Sequence, residues 1–398
     1  MISWIWRVLI LIKYFTIPAD FKKETILKYA EINKKNDQVK IIETYGQMTE
    51  TELQNSGRVT EVLPDVSKAM FQEYVAYSVK NGINFNYTIN PACLGNIEFT
   101  RDGLEKIRHF LYELYDMEVR WLTVTSPAVM EIVNSLDVKF HMKTSAICEI
   151  TAPYKAKFYR QLGAERVVVD PDITRDFDRL ERIGKAFGDG VEIIVNNVCY
   201  KNCPYKMFHY NHEAHCTSTN SQDIKDFYSN RCSLQKAQKP EHFIRLNFIR
   251  PEDLKFYMDS GIHYFKFQGR QNIVTGDIQR VLDAYINEEY EGNLLDLITL
   301  FSSYNSFQPY IENRELDGFV EKFYKNRSFC KDGCQECGYC VSYAKKSMDY
   351  EEVEKLNQSA RNFFESIDGY KGYFREVKQN TGDKEELEKY EAKFADFD

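Results

Sequence analysis

The chain has 398 residues, 43% of them hydrophobic and 28% charged, with a formal net charge of -8. That is long enough for a large barrel-sized domain plus an appendage, and the composition is that of a globular chain rather than a disordered one. The acidic balance excludes a global electrostatic footprint for duplex nucleic acid, while a local basic path to RNA stays open.

Residues 1–15 are apolar but interrupted by Arg7 and Lys13. A membrane span needs roughly 20 apolar residues, and no small-residue cleavage site follows. The segment therefore reads as a leader running into a first strand, and a cytoplasmic protein without a membrane span is expected. Short apolar, β-branched runs recur at 14–18, 39–44, 84–88, 120–124, 138–142, 166–169, 192–195 and 264–267. Amphipathic stretches at 22–33, 67–81, 102–115, 154–162, 176–187 and 252–260 separate most of them. Gly82, Gly163 and Gly261 end three of these helices just before the next strand, the signature of a helix-to-strand turn. Regular alternation implies a parallel sheet, and eight such strands imply a closed (β/α)8 TIM-like barrel.

The rhythm breaks twice. Segment 196–243 has no clean periodicity and carries four cysteines and four histidines. It follows the seventh strand, so it leaves from the C-terminal rim, where barrel enzymes build active sites. Beyond Glu288 the barrel pattern ends. The division expected is a barrel over 1–290 with a rim loop at 196–243, then an appendage over 291–398. The appendage holds a cysteine knot at 330–340 and a charged helical tail from Met348.

Eight of the ten cysteines fall in two groups, which points to metal binding in a reducing compartment. The first group is Cys199-x3-Cys203 followed by Cys216 and Cys232. Four thiolates close a zinc site or hold a four-iron cluster. One tight pair with two distant ligands suits the cluster better, since structural zinc more often shows two tight pairs. His209, His212 and His215 form H-x2-H-x2-H, and on a helix His209 and His212 share a face. They line a pocket, or form a mononuclear metal triad, and His215 is an alternative fourth ligand beside Cys216. The second group, Cys330-x3-Cys334-x2-Cys337-x2-Cys340, is a compact metal site with Gly333 and Gly338 letting the backbone wrap closely. Its spacing resembles ferredoxin-type cluster loops, with zinc as the alternative. Its first three cysteines also spell the C-x3-C-x2-C of radical S-adenosylmethionine enzymes, but its position after the barrel argues against that role. An auxiliary electron-transfer cluster fits.

Other candidates sit at strand ends. Cys93, in the segment 86–96, is a reactive thiol, a spare ligand or a buried structural cysteine, and Cys148 reads as packing. Glu43, Tyr45 and Gly46 end the second strand, and His141, Lys143 and Ser145 the fifth; each is a candidate substrate contact. Lys266-Phe267-Gln268-Gly269-Arg270 ends the last strand. There Gly269 permits close backbone approach, and Arg270 grips a carboxylate or phosphate or forms a rim salt bridge.

Taken together these residues resemble the peptidase U32 family over roughly 14–290. The resemblance is carried by the cysteine-bearing rim loop and by Ile249-Arg250-Pro251-Glu252-Asp253-Leu254. The strand end Phe265-Lys266-Phe267-Gln268-Gly269-Arg270 and the early strand reaching Asn90 add to it. It implies a barrel. Several members look like oxygen-independent hydroxylases with a four-cysteine [4Fe-4S] cluster. They act on a quinone precursor or RNA bases, and some draw oxygen from prephenate. Others are described as proteases without settled catalytic residues. On this resemblance Cys199, Cys203, Cys216 and Cys232 are the expected cluster ligands and Arg270 an anion contact. Gln268 stands where many members have glutamate, the first cysteine gap is shorter, and the histidine run and Cys330–Cys340 group are extra, so the branch is divergent.

Three functions follow as expectations. The first is an iron–sulfur redox or hydroxylating enzyme, with His209 and His212 moving protons, Arg270 holding a carboxylate and an electron-donor protein as partner. Its substrate is a peptide, a small aromatic molecule or an RNA base. The second is a protease, for which Cys93 with a rim histidine is the one pairing to entertain, since neither G-x-S-x-G nor H-E-x-x-H occurs. The third is a non-catalytic, metal-stabilised binding partner.

Overall fold

Strand-forming runs are buried on both sides in this chain, and that is what closes the sheet. In β1 (Lys13–Pro18), Phe15, Thr16 and Ile17 are all fully buried. Side chains alternate across a strand. Phe15 meets the rings of Phe265 and Phe267 on one side, while Thr16 bonds Glu192 on the other. The computed structural model describes residues 11–49, 63–219, 227–303, 309–330 and 333–366. The leader up to residue 10 and the charged tail from 367 lie outside the described residues.

The remaining strands are β2 (Val39–Gly46), β3 (Asn84–Ile89), β4 (Trp121–Val124), β5 (His141–Thr144), β6 (Ala164–Val168), β7 (Val191–Ile194), β8 (Asn196–Tyr200), β9 (Leu246–Phe248) and β10 (Tyr264–Lys266). Eight of them form a closed barrel in the order β1-β10-β7-β6-β5-β4-β3-β2. Its neighbouring pairs are parallel, as from Thr16↔Lys266 through Lys143↔Arg166. β8 and β9 make a separate two-stranded sheet. The chain therefore forms the TIM-like barrel that the alternation implies.

Several elements differ from the expectation. The fifth strand starts at His141 rather than 138, because Phe140 packs its ring on Tyr115 (5.5 Å) outside the sheet. A helix, Pro127–Asn134, also fills a stretch left unassigned, with Pro127 pre-set for its first turn. The aperiodic segment 196–243 holds regular structure: β8 and the helices Lys206–Thr219, Phe227–Gln238 and Glu241–Ile244. Up to Cys216, the first of these buries only Glu213, Ala214 and Cys216, so it shows no apolar stripe.

The chain clusters into two compact units. One comprises Met1–Lys225, Asn247–Tyr290 and Asp296–Asn305, the other Asp226–Leu246, Glu291–Leu295 and Ser306–Asp398. The second has its own aromatic core. Tyr339 stacks on Phe319 (5.5 Å), Phe227 meets Phe364 edge-on (5.7 Å), and Arg231 lies over Phe364 (4.3 Å). Among the described residues no helix is long and apolar enough to cross a membrane.

Candidate active site

Barrel interiors are usually filled by branched aliphatic side chains. Here one layer is ionic. Lys143, fully buried, donates to Glu43 and to both carboxylate oxygens of Glu192 (3.0 and 3.1 Å). Arg166 lies 3.0 Å from Glu43 and 3.5 Å from Glu192. Thr16 donates to Glu192 (3.0 Å), and Asn86, which accepts from Thr123 (2.6 Å), reaches Glu43 (3.5 Å). Burial pushes the Glu43 carboxyl up, but Arg166 and Lys143 outweigh it and hold it down at about 2. Two cations and two carboxylates thus neutralise one another.

Above this layer, at the C-terminal ends of the strands, lies a cavity of about 90 Å³. Tyr45, Thr88, Thr123, Ser145, Lys266 and Arg270 line it, and Tyr210 brings the histidine-bearing helix to the same rim. Arg270 donates to Gln47 (2.5 Å), Thr88 (3.0 Å) and Asn90 (3.4 Å). Its approach depends on Gly269, whose φ is +123° and where a Cβ would come within 3.0 Å of Leu300. Asn196 clamps the neighbouring Gln268, donating to its carbonyl (2.8 Å) and accepting from its N–H (2.7 Å).

Lys266 was legible only as part of a strand end. In the fold its ammonium lies 3.6 Å from the centroid of the Tyr45 ring, at the cavity wall. Burial, with Lys143 adding to it, lowers its pKa to about 7. The strand-end candidates separate clearly. Ser145 and Tyr45 line the cavity, whereas Glu43 and Lys143 are consumed in the ion network below it. His141 begins β5, at the opposite end from the mouth, where it stacks on Trp121 (4.8 Å) and pairs with Glu165 (2.8 Å). It does not meet a substrate at the cavity. Cys148 is a buried thiol near the carbonyls of Val124 and Thr125, pushed up to about 12 by burial. Cys93 accepts from the Gly95 N–H (3.3 Å) and has no histidine partner among the described residues.

The helix Lys206–Thr219 is pinned to the rim by Lys206, which donates to Asp170 (2.9 Å) and Asp172 (2.6 Å). His209 contacts Glu213 (3.2 Å), His212 lies 3.6 Å from the Cys216 sulfur, and His215 is exposed. Cys199 sits on β8, its N–H donating to Asn197 (2.9 Å). Cys203 follows it, Cys216 is buried, and Cys232 lies on the helix Phe227–Gln238 of the second unit. Among the described residues no three His, Cys, Asp or Glu side chains gather tightly enough for a single metal ion.

Within the second unit, Cys330, Cys334, Cys337 and Cys340 all line one cavity of about 590 Å³, together with Lys239 and Arg245. The segment Ile249–Leu254 proves architectural. Arg250 is buried and grips Asp253 through two bonds (2.8 and 3.2 Å), and Ile249 accepts from the Tyr285 hydroxyl (2.7 Å).

The sequence profile described as peptidase family U32 matches residues 64–327. An uncharacterized protease of Methanocaldococcus jannaschii is 30% identical over 338 residues, covering 83% of this chain and 97% of that protein. A solved U32 peptidase structure is 17% identical, with a TM-score of 0.42, covering 53% of this chain and 78% of that one. The chain belongs to peptidase family U32.

Proposed function

We propose that the chain is an iron–sulfur-dependent enzyme of oxidoreductase or hydroxylase type, with the barrel mouth as its reaction chamber. The observation that supports this reading is the gathering of Cys330, Cys334, Cys337 and Cys340 around one cavity of about 590 Å³. A zinc ion draws four thiolates to about 2.3 Å from a single point. Four cysteines lining one cavity of this size suit the body of a four-iron cluster, which is larger than a single ion. Bound there, a cluster supplies one-electron transfer, which implies an electron-donor protein as partner. The ligands that the family resemblance assigns in the barrel are Cys199, Cys203, Cys216 and Cys232. No step is routed through them.

The chain's own groups define what the mouth accepts. Arg270 offers a fixed cation to a carboxylate or phosphate, and Thr123 and Ser145 offer hydroxyls. A cavity of about 90 Å³ equals about three waters at roughly 30 Å³ each. It suits a small molecule or the reacting end of a larger one, whether peptide, aromatic compound or RNA base.

The test is anaerobic purification with quantification of iron, sulfide and zinc, repeated for Cys199→Ala and Cys334→Ala. About eight irons with matching sulfide, falling by about half in each variant, support two clusters. Zinc alone, or no metal, overturns the reading. One observation favours a second reading, proteolysis, which the name of the Methanocaldococcus relative suggests. The Cys216 sulfur lies 3.6 Å from a ring nitrogen of His212, the pairing a thiol hydrolase needs. Rapid alkylation of Cys216 with peptide hydrolysis lost in Cys216→Ser would support it. Loss of iron in that variant would instead assign Cys216 to a cluster.

A further inference from the structure

The ionic layer of the barrel accounts for its own charge and leaves one amine over. Lys143 and Arg166 already match Glu43 and Glu192. Lys266, on β10, is a third basic group on the same layer's upper edge. It is buried, and among the described residues its nitrogen has neither hydrogen bond nor ion pair. The charged groups facing it come from every side: Lys143 on β5, Glu192 on β7, Glu43 on β2 and Arg270 beyond β10. The two carboxylates are committed to other cations, and the two cations oppose a further positive charge. Only the face of the Tyr45 ring offsets an ammonium here, so the amine gives up its proton far more readily than an ordinary lysine. A neutral primary amine is a nucleophile.

We propose that Lys266 is a covalent nucleophile that condenses with the carbonyl group of a small oxo-acid whose carboxylate is received by Arg270. Both groups line the same cavity, whose volume of about 90 Å³ fits a two- or three-carbon acid. The amine lone pair attacks the carbonyl carbon, and the carbonyl π pair moves to oxygen, which takes the amine proton. Loss of water from the carbinolamine then leaves an imine. Atoms and charge balance without an oxidant or metal, so this inference goes beyond the iron–sulfur reading and stands or falls separately from it.

The experiment uses the full chain with pyruvate and sodium cyanoborohydride, followed by intact mass and peptide mapping. One reduced adduct on Lys266 is expected. Its rate should rise through about pH 7, whereas exposed lysines react only nearer their ordinary value of 10.5. Arg270→Gln should raise the pyruvate concentration for half-maximal labelling by about tenfold or more, the loss of a charge-assisted contact. Labelling by acetaldehyde, which lacks a carboxylate, should fall much less, and only through the smaller charge opposing the Lys266 ammonium. The wild-type map decides the main point, whatever the folding of a variant. Absence of an adduct at Lys266, or label spread over surface lysines at similar rates, overturns the nucleophile. Equal loss of pyruvate and acetaldehyde labelling in Arg270→Gln overturns the carboxylate contact.

Discussion

Glu43 holds two cations inside the barrel, and removing it would leave both short of a counter-charge. Glu43→Gln is therefore expected to destabilise the fold by about 3–5 kcal/mol, read as a lower urea midpoint. The same carboxyl sets an acid limit. Its folded pKa is depressed from 4.5 to about 2, so the stability it contributes is present above pH 4.5 and lost as pH falls through about 2. Lys266 works with the opposite sign. Its folded pKa is lowered from 10.5 to about 7, so below 10.5 the unfolded chain binds a proton that the folded one resists. Lys266→Met should exceed wild type in stability by on the order of 2 kcal/mol at pH 7, a gain that vanishes as pH approaches 10.5. Equal melting curves at both pH values would refute a neutral buried amine.

At the scale of elements, the rim helix Lys206–Thr219 depends on one ionic anchor more than on apolar burial. Lys206→Met strands Asp170 and Asp172, and burial already raises the pKa of Asp170. Amide exchange should quicken in this helix well before the barrel strands, at a local cost of about 3 kcal/mol. Capping was more legible. Asp176, expected to open a helix at 176–187, accepts from the Arg179 N–H (3.0 Å), and Asp176→Ala should lower stability by about 1 kcal/mol in thermal melting. Ser67 plays the same part for Lys68–Lys80, accepting from Met70. Helix starts announce themselves because the capping contact spans three residues. The start of β5 did not, because the alternation at Val138 and Phe140 belongs to loop packing rather than to a strand.

For the whole molecule, the second unit buries little around its cysteines: Cys330 and Cys337 are exposed. On the proposal above, metal binding contributes folding energy there. Stripping iron should then speed exchange in the segment 333–347 while β1, β2 and β3 keep their protection, as read by mass spectrometry. Unchanged exchange in that segment would indicate that the cavity holds no structural cluster.

Periodicity made the barrel readable in the sequence and spacing the compact Cys330–Cys340 group, because both depend on residues a few positions apart, while the family was read from a resemblance spread over the chain. The tertiary structure alone decided which strand-end residues meet. Arg270 lines the mouth, His141 falls at the far end, and Glu43 and Lys143 lie in the ionic layer beneath the cavity. The state of Lys266 was the least legible feature. It follows from the pairing of Lys143 and Arg166 with Glu43 and Glu192 on four other strands. Charge balance in a buried layer is a property of the closed barrel, so no local pattern in the chain carries it.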